Sequence, residues 1–367
     1  MKIPEFKETM LEVFRNRPDV GRMGFLSSFF TVKPQYFTNG ELIDIDVINR
    51  SVKIAPVVTP NGSGAVQVAP DLFTGKQVRP PLYSLARPVS LYDLMQRKPG
   101  ETVFDKTYAS WTAEMQNALI PAFELEQDMI RVSIEVQAAK MLQTGKVDLT
   151  DENGKIAYTL DYGMNPDHKI SVSTKWDATG ADPIADLKGG MDVVRKDGHS
   201  DVSTAIFGAK AWEAFISNEK VLKLFQKDVL NIAALNPELV DRGGEYMGYI
   251  MIGAYKVNLF TYSAVYEAFN AEDRFPFVDD DKVILLPNRD RLDLRLMYAR
   301  HPVIAGGTIF DDIVPEELTI ENRIRYTQRV IADIPKNTYT AETSSRPLCL
   351  PVSIDRIAVL GDTVTAA

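Results

Sequence analysis

The stretch Pro121-Ala122-Phe123-Glu124-Leu125-Glu126-Gln127-Asp128-Met129-Ile130-Arg131-Val132-Ser133-Ile134-Glu135-Val136-Gln137-Ala138-Ala139-Lys140-Met141-Leu142 decides the fold. Placed at about 100° per residue, its apolar side chains fall on two opposed faces. Phe123, Ile130, Ile134, Ala138 and Met141 share one; Leu125, Met129, Val132, Val136 and Ala139 share the other. Glu124, Asp128, Arg131 and Glu135 lie between them, with Arg131 at helical spacing from both Asp128 and Glu135. These four read as a salt-bridged helix face. An ordinary surface helix carries one apolar stripe; two stripes call for cover on both sides. That suits a long spine crossing a sheet with something else packed on its back. Helical character starts near Asp105, and Pro121 is expected to break it and open a second helix as its first residue. From Pro121 to Leu142 that helix would be roughly 33 Å long at about 1.5 Å per residue.

Upstream, Glu5 to Arg17 has a helical pattern with Phe6, Met10, Val13 and Phe14 on one side, ended by Pro18. Phe25-Leu26-Ser27-Ser28-Phe29-Phe30 is an aromatic anchor, and Asn39-Gly40 marks a turn. Ile43, Ile45 and Val47 alternate with Asp44 and Asp46 at the strand period. Ser51 to Leu91 is an extended arm or hairpin. Ser51–Thr59 has strand composition and Pro60-Asn61-Gly62-Ser63-Gly64 is a turn. Pro70, Pro80, Pro81 and Pro88 punctuate the chain beyond it, and Tyr83–Val89 reads as a returning strand. Such an arm cannot bury a core of its own and must lie on something else, a neighbouring subunit being the natural choice.

Downstream, Lys146 to Tyr162 reads as a hairpin turning at Asp151-Glu152-Asn153-Gly154. Lys169–Ser173 is a short strand. Asp182 is an N-cap with Pro183 in the first turn, opening a helix that stops near Gly198. A strand at Val202–Phe207 is followed by helices at Lys210–Ile216 and Asn218–Ala234, then by strands at Tyr249–Ile252, Lys256–Tyr262, Lys282–Pro287 and Leu292–Tyr298. Ile324–Ile334 and Ile357–Leu360 are expected to return to the first sheet.

A chain of 367 residues with 45% apolar and 25% charged residues can bury a substantial core in two or three sub-domains. Its net charge of −9 lacks the basic excess of a tight nucleic-acid binder. No run of about 18 apolar residues occurs, and the charged N-terminus has no signal-peptide pattern. The single cysteine, Cys349, allows no intrachain disulfide and reads as a buried packing residue. The three histidines, His168, His199 and His301, show no metal-ligand spacing. Gly62-Ser63-Gly64 is not a phosphate loop, and no nucleophile elbow appears. Asp279-Asp280-Asp281 lacks the spacing and downstream Glu of a calcium loop and reads as a solvated turn before a strand. Trp111, Trp176 and Trp212 read as core or interface anchors. Neither catalytic residues nor a metal or cofactor site is indicated.

A series of phrases in fixed order resembles the major capsid proteins of the phage lambda type, the protein E family, with its Hong Kong 97-type fold. They are Phe25–Phe30, Ile54–Val58 and Lys76–Pro81; Met115–Lys146; Ser173–Trp176 with Asp182–Leu187; Phe207–Trp212 with Val221–Phe225; Phe275–Pro287; and Ser345–Pro351. The resemblance implies an α+β fold with an N-terminal arm (1–50) and an extended loop (51–95). It also implies a peripheral domain with the spine helix (96–178 and 320–367) and a mixed α/β axial domain (179–319). It gives the acidic cluster a structural meaning as the turn before a strand. It implies hexamers and pentamers in an icosahedral virion shell that encloses double-stranded DNA without sequence-specific binding, assembled in the bacterial cytoplasm and matured by expansion. Scaffold, portal and decoration proteins are the implied partners; the short segment before Phe25 leads us to expect a separate scaffold. The expected interface on the extended loop comprises Val58, Gly62, Gly64, Phe73, Lys76 and Arg79. Two other readings compete: an encapsulin-like compartment shell, separated by its contents, and an α+β acid/base hydrolase using Asp279 or Glu135, which requires a pocket of convergent groups.

Overall fold

A 37-residue helix with two apolar faces needs cover along its length, and the sheets are arranged around that need. A computed structural model describes residues 24–38, 40, 42–48, 73–90, 108–150, 156–225, 230–232, 238–239, 243–253, 255–268, 273–301, 308–310, 325–333, 335–336 and 338–365. The expected helix over 5–17, the strand over 51–59 and the turns at 60–64 and 151–154 lie outside the described residues.

In chain order, β1 (Phe37–Thr38), β2 (Ile43–Ile48), β3 (Phe73–Val78) and β4 (Tyr83–Ser90) precede the long helix α1 (Tyr108–Thr144). The hairpin β5 (Lys146–Thr150) and β6 (Ile156–Asp161) comes after it, then β7 (Lys169–Ser171) and α2 (Pro183–Gly198). Next come β8 (Val202–Phe207), α3 (Ala209–Ser217), α4 (Glu219–Phe225), β9 (Leu230–Ile232) and β10 (Glu238–Leu239). β11 (Glu245–Ile252), β12 (Tyr255–Thr261), β13 (Val265–Glu267), β14 (Arg274–Pro276) and β15 (Val283–Pro287) continue the chain. β16 (Leu294–Ala299), β17 (Thr308–Phe310), β18 (Thr327–Asp333), β19 (Thr338–Ser345), β20 (Pro347–Pro351) and β21 (Ala358–Gly361) complete it.

α1 runs through Pro121 without a break, about 55 Å at ~1.5 Å per residue, so the expected restart there is corrected. Pro121 is exposed, and the hydrogen bond its missing N–H forfeits is lost on the watered side. Leu119, Ala122 and Phe123, on either side of it, are buried together with Val330 of β18 and Ala341 of β19. That packing holds the helix through the proline. The helix ends at Gly145, whose φ of +65° and N–H bond to the Met141 carbonyl make a glycine C-terminal cap.

The largest sheet runs β10-β11-β12-β8-β15-β21-β7, with β9 also on β11. Its central strands are apolar on both faces, as a sheet covered on both sides must be. Ile206, Ile284, Leu286 and Val359 belong to the larger core, together with Ile134, Ala138 and Met141 of α1. Their neighbours Phe207, Val283, Leu285, Ala358 and Leu360 belong to a second core with Leu187, Val194 and Phe215 of α2 and α3. The two cores therefore lie on opposite faces of one sheet. Asp182 caps α2 as expected, accepting a hydrogen bond from the Ala185 N–H, and Trp176 is buried against Phe207 and Phe215.

Two expectations fail here. The helix over 218–234 is shorter, since α4 stops at Phe225 and Leu230–Ile232 pairs instead with Ile250–Gly248 of β11; the open sheet edge outcompetes local helical pattern. Of the tail strands, β18 pairs with β19, which pairs with β4. β21, however, inserts into the large sheet between β15 and β7, where its unbroken apolar run finds cover on both faces.

Glu126, 3% exposed, sits at the seam between α1 and β19 and accepts a 2.6 Å hydrogen bond from the Thr343 hydroxyl. Burial pushes its carboxyl up to about 7, helped by the nearby Glu342 charge and opposed by the Thr343 bond and Arg87. The fold therefore holds a proton that the unfolded chain releases near the ordinary value of 4.5. Stability from this group is full below that value and is lost as pH rises toward 7. In pH-dependent urea unfolding of the subunit, Glu126→Gln is expected to remove about 2 kcal/mol of that decline across this window.

Candidate assembly interface

Of the expected contact residues, Phe73, Lys76 and Arg79 sit on or next to a two-stranded ribbon. β2 and β3 pair only with each other, in antiparallel register from Ile43 opposite Val78 to Ile48 opposite Phe73. At one end of the ribbon Ile43 and Val78 are buried in the larger core, and among the described residues no third strand pairs with it. Phe73 and Lys76 lie on β3, opposite Ile48 and Ile45. Arg79 comes just after the strand and is exposed between the buried Val78 and Pro80. Val58, Gly62 and Gly64 lie outside the described residues.

The two stripes of α1 have different fates. Phe123, Ile130, Ile134, Ala138 and Met141 are all buried. On the opposite face Leu125 is 46% and Met129 36% exposed, while Val132 and Val136 are only partly covered. Ala139 alone of that stripe is fully buried. Toward the end of the helix the same face opens into a groove lined by Val136, Ala139, Lys140, Gln143, Tyr266 and Phe277. Ile156 of β6 and Phe275 of β14 add exposed apolar surface, at 60% and 44%.

The charged stripe is not a uniform salt-bridged face. Arg131 and Asp128 make a loose 3.9 Å ion pair, but Glu135 is wholly buried. Its two carboxylate oxygens accept the backbone N–H groups of Leu26 at 2.7 Å and Ser27 at 2.8 Å, with the Tyr262 phenol beside them. Burial raises this carboxyl, and the N–H donors pull it back. Glu135 therefore fastens the Phe25–Phe30 anchor to the helix. No local pattern signals this, because the partners are 108 and 109 residues away.

Cys349 is fully buried, and burial pushes its thiol up, with the Glu135 charge acting in the same direction. The acidic cluster is a turn. Asp279 pairs with Lys282 at 2.6 Å and Asp280 with Lys210 at 3.5 Å. The Asp280 carbonyl accepts the Ala211 N–H in the first turn of α3. Gly208 is required beside it, because a Cβ there would stand 2.2 Å from the Asp279 carbonyl oxygen. Among the described residues no group of three or more His, Cys, Asp or Glu is placed to hold a metal ion.

This architecture, a long helix laid on sheets with a two-stranded ribbon and a doubly covered mixed sheet, is the Hong Kong 97-type fold. The family model for phage major capsid protein E matches residues 8–359, and the chain belongs to that family. No curated protein matches it. A crystal structure described as the capsid protein of a prophage in E. coli CFT073 is similar over 97% of this chain and 98% of its own, at 16% identity and a TM-score of 0.60. A phage-related protein from Bordetella bronchiseptica RB50 is similar over 99% and 98%, at 10% identity and a TM-score of 0.49. The SrpI encapsulin of Synechococcus elongatus PCC 7942 is similar over 95% and 90%, at 12% identity and a TM-score of 0.43. The chain is thus a shell protein of a phage head.

Replacing Glu135 with Ala leaves two N–H groups without their acceptor. Glu135→Ala is expected to destabilise the subunit by about 3 kcal/mol, and Glu135→Gln, which keeps one acceptor oxygen, by less. Chemical denaturation of both variants beside the parent checks the order.

Proposed function

We propose that the chain assembles as hexamers and pentamers into an icosahedral shell around double-stranded DNA, through an extended loop carried by the β2–β3 ribbon and resting on a neighbouring subunit. Val58, Gly62, Gly64, Phe73, Lys76 and Arg79 are its contact residues. The carrying observation is a pair of unmet needs in one subunit. A two-stranded ribbon with open edges stands beside no third strand among the described residues, and an apolar stripe centred on Leu125 and Met129 faces water. Both are liabilities in a lone molecule and assets in a closed lattice, where many weak contacts add. In this reading residues 1–50 form an arm, 51–95 the extended loop, 96–178 and 320–367 a peripheral domain, and 179–319 an axial domain. The subunit is structural and not catalytic, with no cofactor. A separate scaffold, a portal and a decoration protein are its partners, and assembly takes place in the bacterial cytoplasm before the shell becomes part of the virion.

Deleting Val58–Lys76 is expected to leave a folded, soluble subunit that no longer assembles, read by circular dichroism and by electron microscopy of protein co-expressed with its scaffold. Closed shells from the parent and none from the deletion support the reading. Loss of folding would assign the segment to the core, persistent monomers of the parent would count against assembly, and parent shells packed with enzyme would favour a compartment over a phage head.

A further inference from the structure

The chain is acidic overall, with a net charge of −9, yet one strip of it carries the opposite sign. Residues 28–38 lie along residues 289–300, and backbone hydrogen bonds fix how they align. The Thr31 N–H donates to the Leu294 carbonyl at 2.8 Å, the Leu296 N–H to the Thr31 carbonyl at 3.0 Å and the Arg300 N–H to the Thr38 carbonyl at 2.9 Å. Together the two stretches hold five cationic side chains, Lys33, Arg289, Arg291, Arg295 and Arg300, against two carboxylates, Asp290 and Asp293. Leu294, Leu296 and Tyr298 of β16 turn into the larger core, so Arg295 projects from the other face of that strand.

The strip is built as well as charged. Arg289 lies over the Phe29 ring at 4.8 Å and donates to the Ser28 hydroxyl at 2.9 Å. Arg295 lies over the Tyr36 ring at 5.4 Å and grips both carboxylate oxygens of Asp293, at 2.8 and 2.7 Å. A guanidinium held against a ring has lost much of its freedom before any ligand arrives. Asp293 is neutralised within the strip by Arg295. Lys33, Arg291 and Arg300 are exposed, and no side-chain partner stands beside any of them among the described residues. From Arg291 to Arg300 the chain spans at most about 30 Å, enough to meet several phosphates of a duplex that carries one charge per about 1.7 Å of axis.

Arginine forks in excess over acids fit a polyanion. We propose that the strip from Arg289 to Arg300, with Lys33 beside it, is a contact surface for the backbone phosphates of double-stranded DNA. The choice of DNA over an acidic polypeptide rests on the assembly reading above, since duplex DNA is the polyanion that such a shell surrounds. The contact senses charge and carries no base sequence. It is weak in one subunit, because few phosphates are engaged and the rest of the chain repels them, and it gains strength by repetition over a shell.

The unassembled full-length subunit is titrated with a short fluorescent duplex of mixed sequence, by anisotropy over a range of salt. The logarithm of the affinity is expected to fall linearly with that of the salt concentration. Arg291→Gln with Arg300→Gln is expected to flatten that slope by about 2 and to weaken binding at low salt about tenfold. Arg291→Lys with Arg300→Lys, which keeps the charge, restores most of the slope. Lys188→Gln with Lys223→Gln, exposed on α2 and α4, is the control of equal charge and leaves both values near the parent's. Equal losses in the two glutamine pairs overturn the proposal, and so does a parent that does not bind at low salt. Polyglutamate bound more tightly than the duplex at matched charge gives the strip to an acidic polypeptide and overturns the assignment to DNA. Electron microscopy of shells separates this from the assembly reading. The arginine-to-glutamine pair is expected to close shells as the parent does, and failure to assemble with unchanged duplex binding makes the strip a subunit contact instead. A parent that binds the duplex through the strip but forms no shells sinks the assembly reading and leaves the DNA contact standing.

Discussion

A carboxylate with no access to water organises the centre of the subunit. Glu135 has left solvent, which costs several kcal/mol for an uncompensated charge, and it is compensated by two backbone N–H groups from the start of the Phe25–Phe30 segment. Satisfying it fixes where the aromatic anchor must sit. Phe25 then packs on Phe29, Phe260 and Tyr262, and Tyr262 on Phe277. Through these rings the position of α1 is passed to β12 and to the approach to β15, and so to the large sheet.

The same helix explains why the molecule has an outside that is not finished. Its inner stripe is buried among the sheets, while its outer stripe is covered by little among the described residues except near Ala139. A surface helix that evolved to face water would carry charge at the positions of Leu125 and Met129. Membership of the phage major capsid protein E family supplies the context in which such a face is useful.

Much of this is legible in the residues. The opposed stripes of α1, the alternation of Ile43, Ile45 and Val47, the Asp182 cap and the apolar runs of β8 and β15 are local patterns, and each element forms where its pattern lies. Glu135 escapes such a reading because its spacing from Arg131 mimics a surface pair, while its true partners are remote in sequence. Pro121 escapes it because local propensity says nothing of the packing of Leu119 and Phe123 that carries the helix across it. The insertion of β21 into the large sheet is a matter of which edge is open, and that is settled only when the whole chain is folded. Of the expected contact residues, the ribbon positions Phe73 and Lys76 are legible as extended chain, whereas contact with another subunit is a relation that one chain cannot display.

The burial of Cys349 has a practical side. The chain contains one thiol, and it is shut inside the subunit, so any lattice made from this protein is held without sulfur chemistry. Its joints would be indifferent to passage from a reducing cell interior to an oxidising exterior. For the same reason a cysteine introduced at an exposed position would be the one reactive thiol per subunit, giving a surface that can be labelled or coupled at a single chosen address.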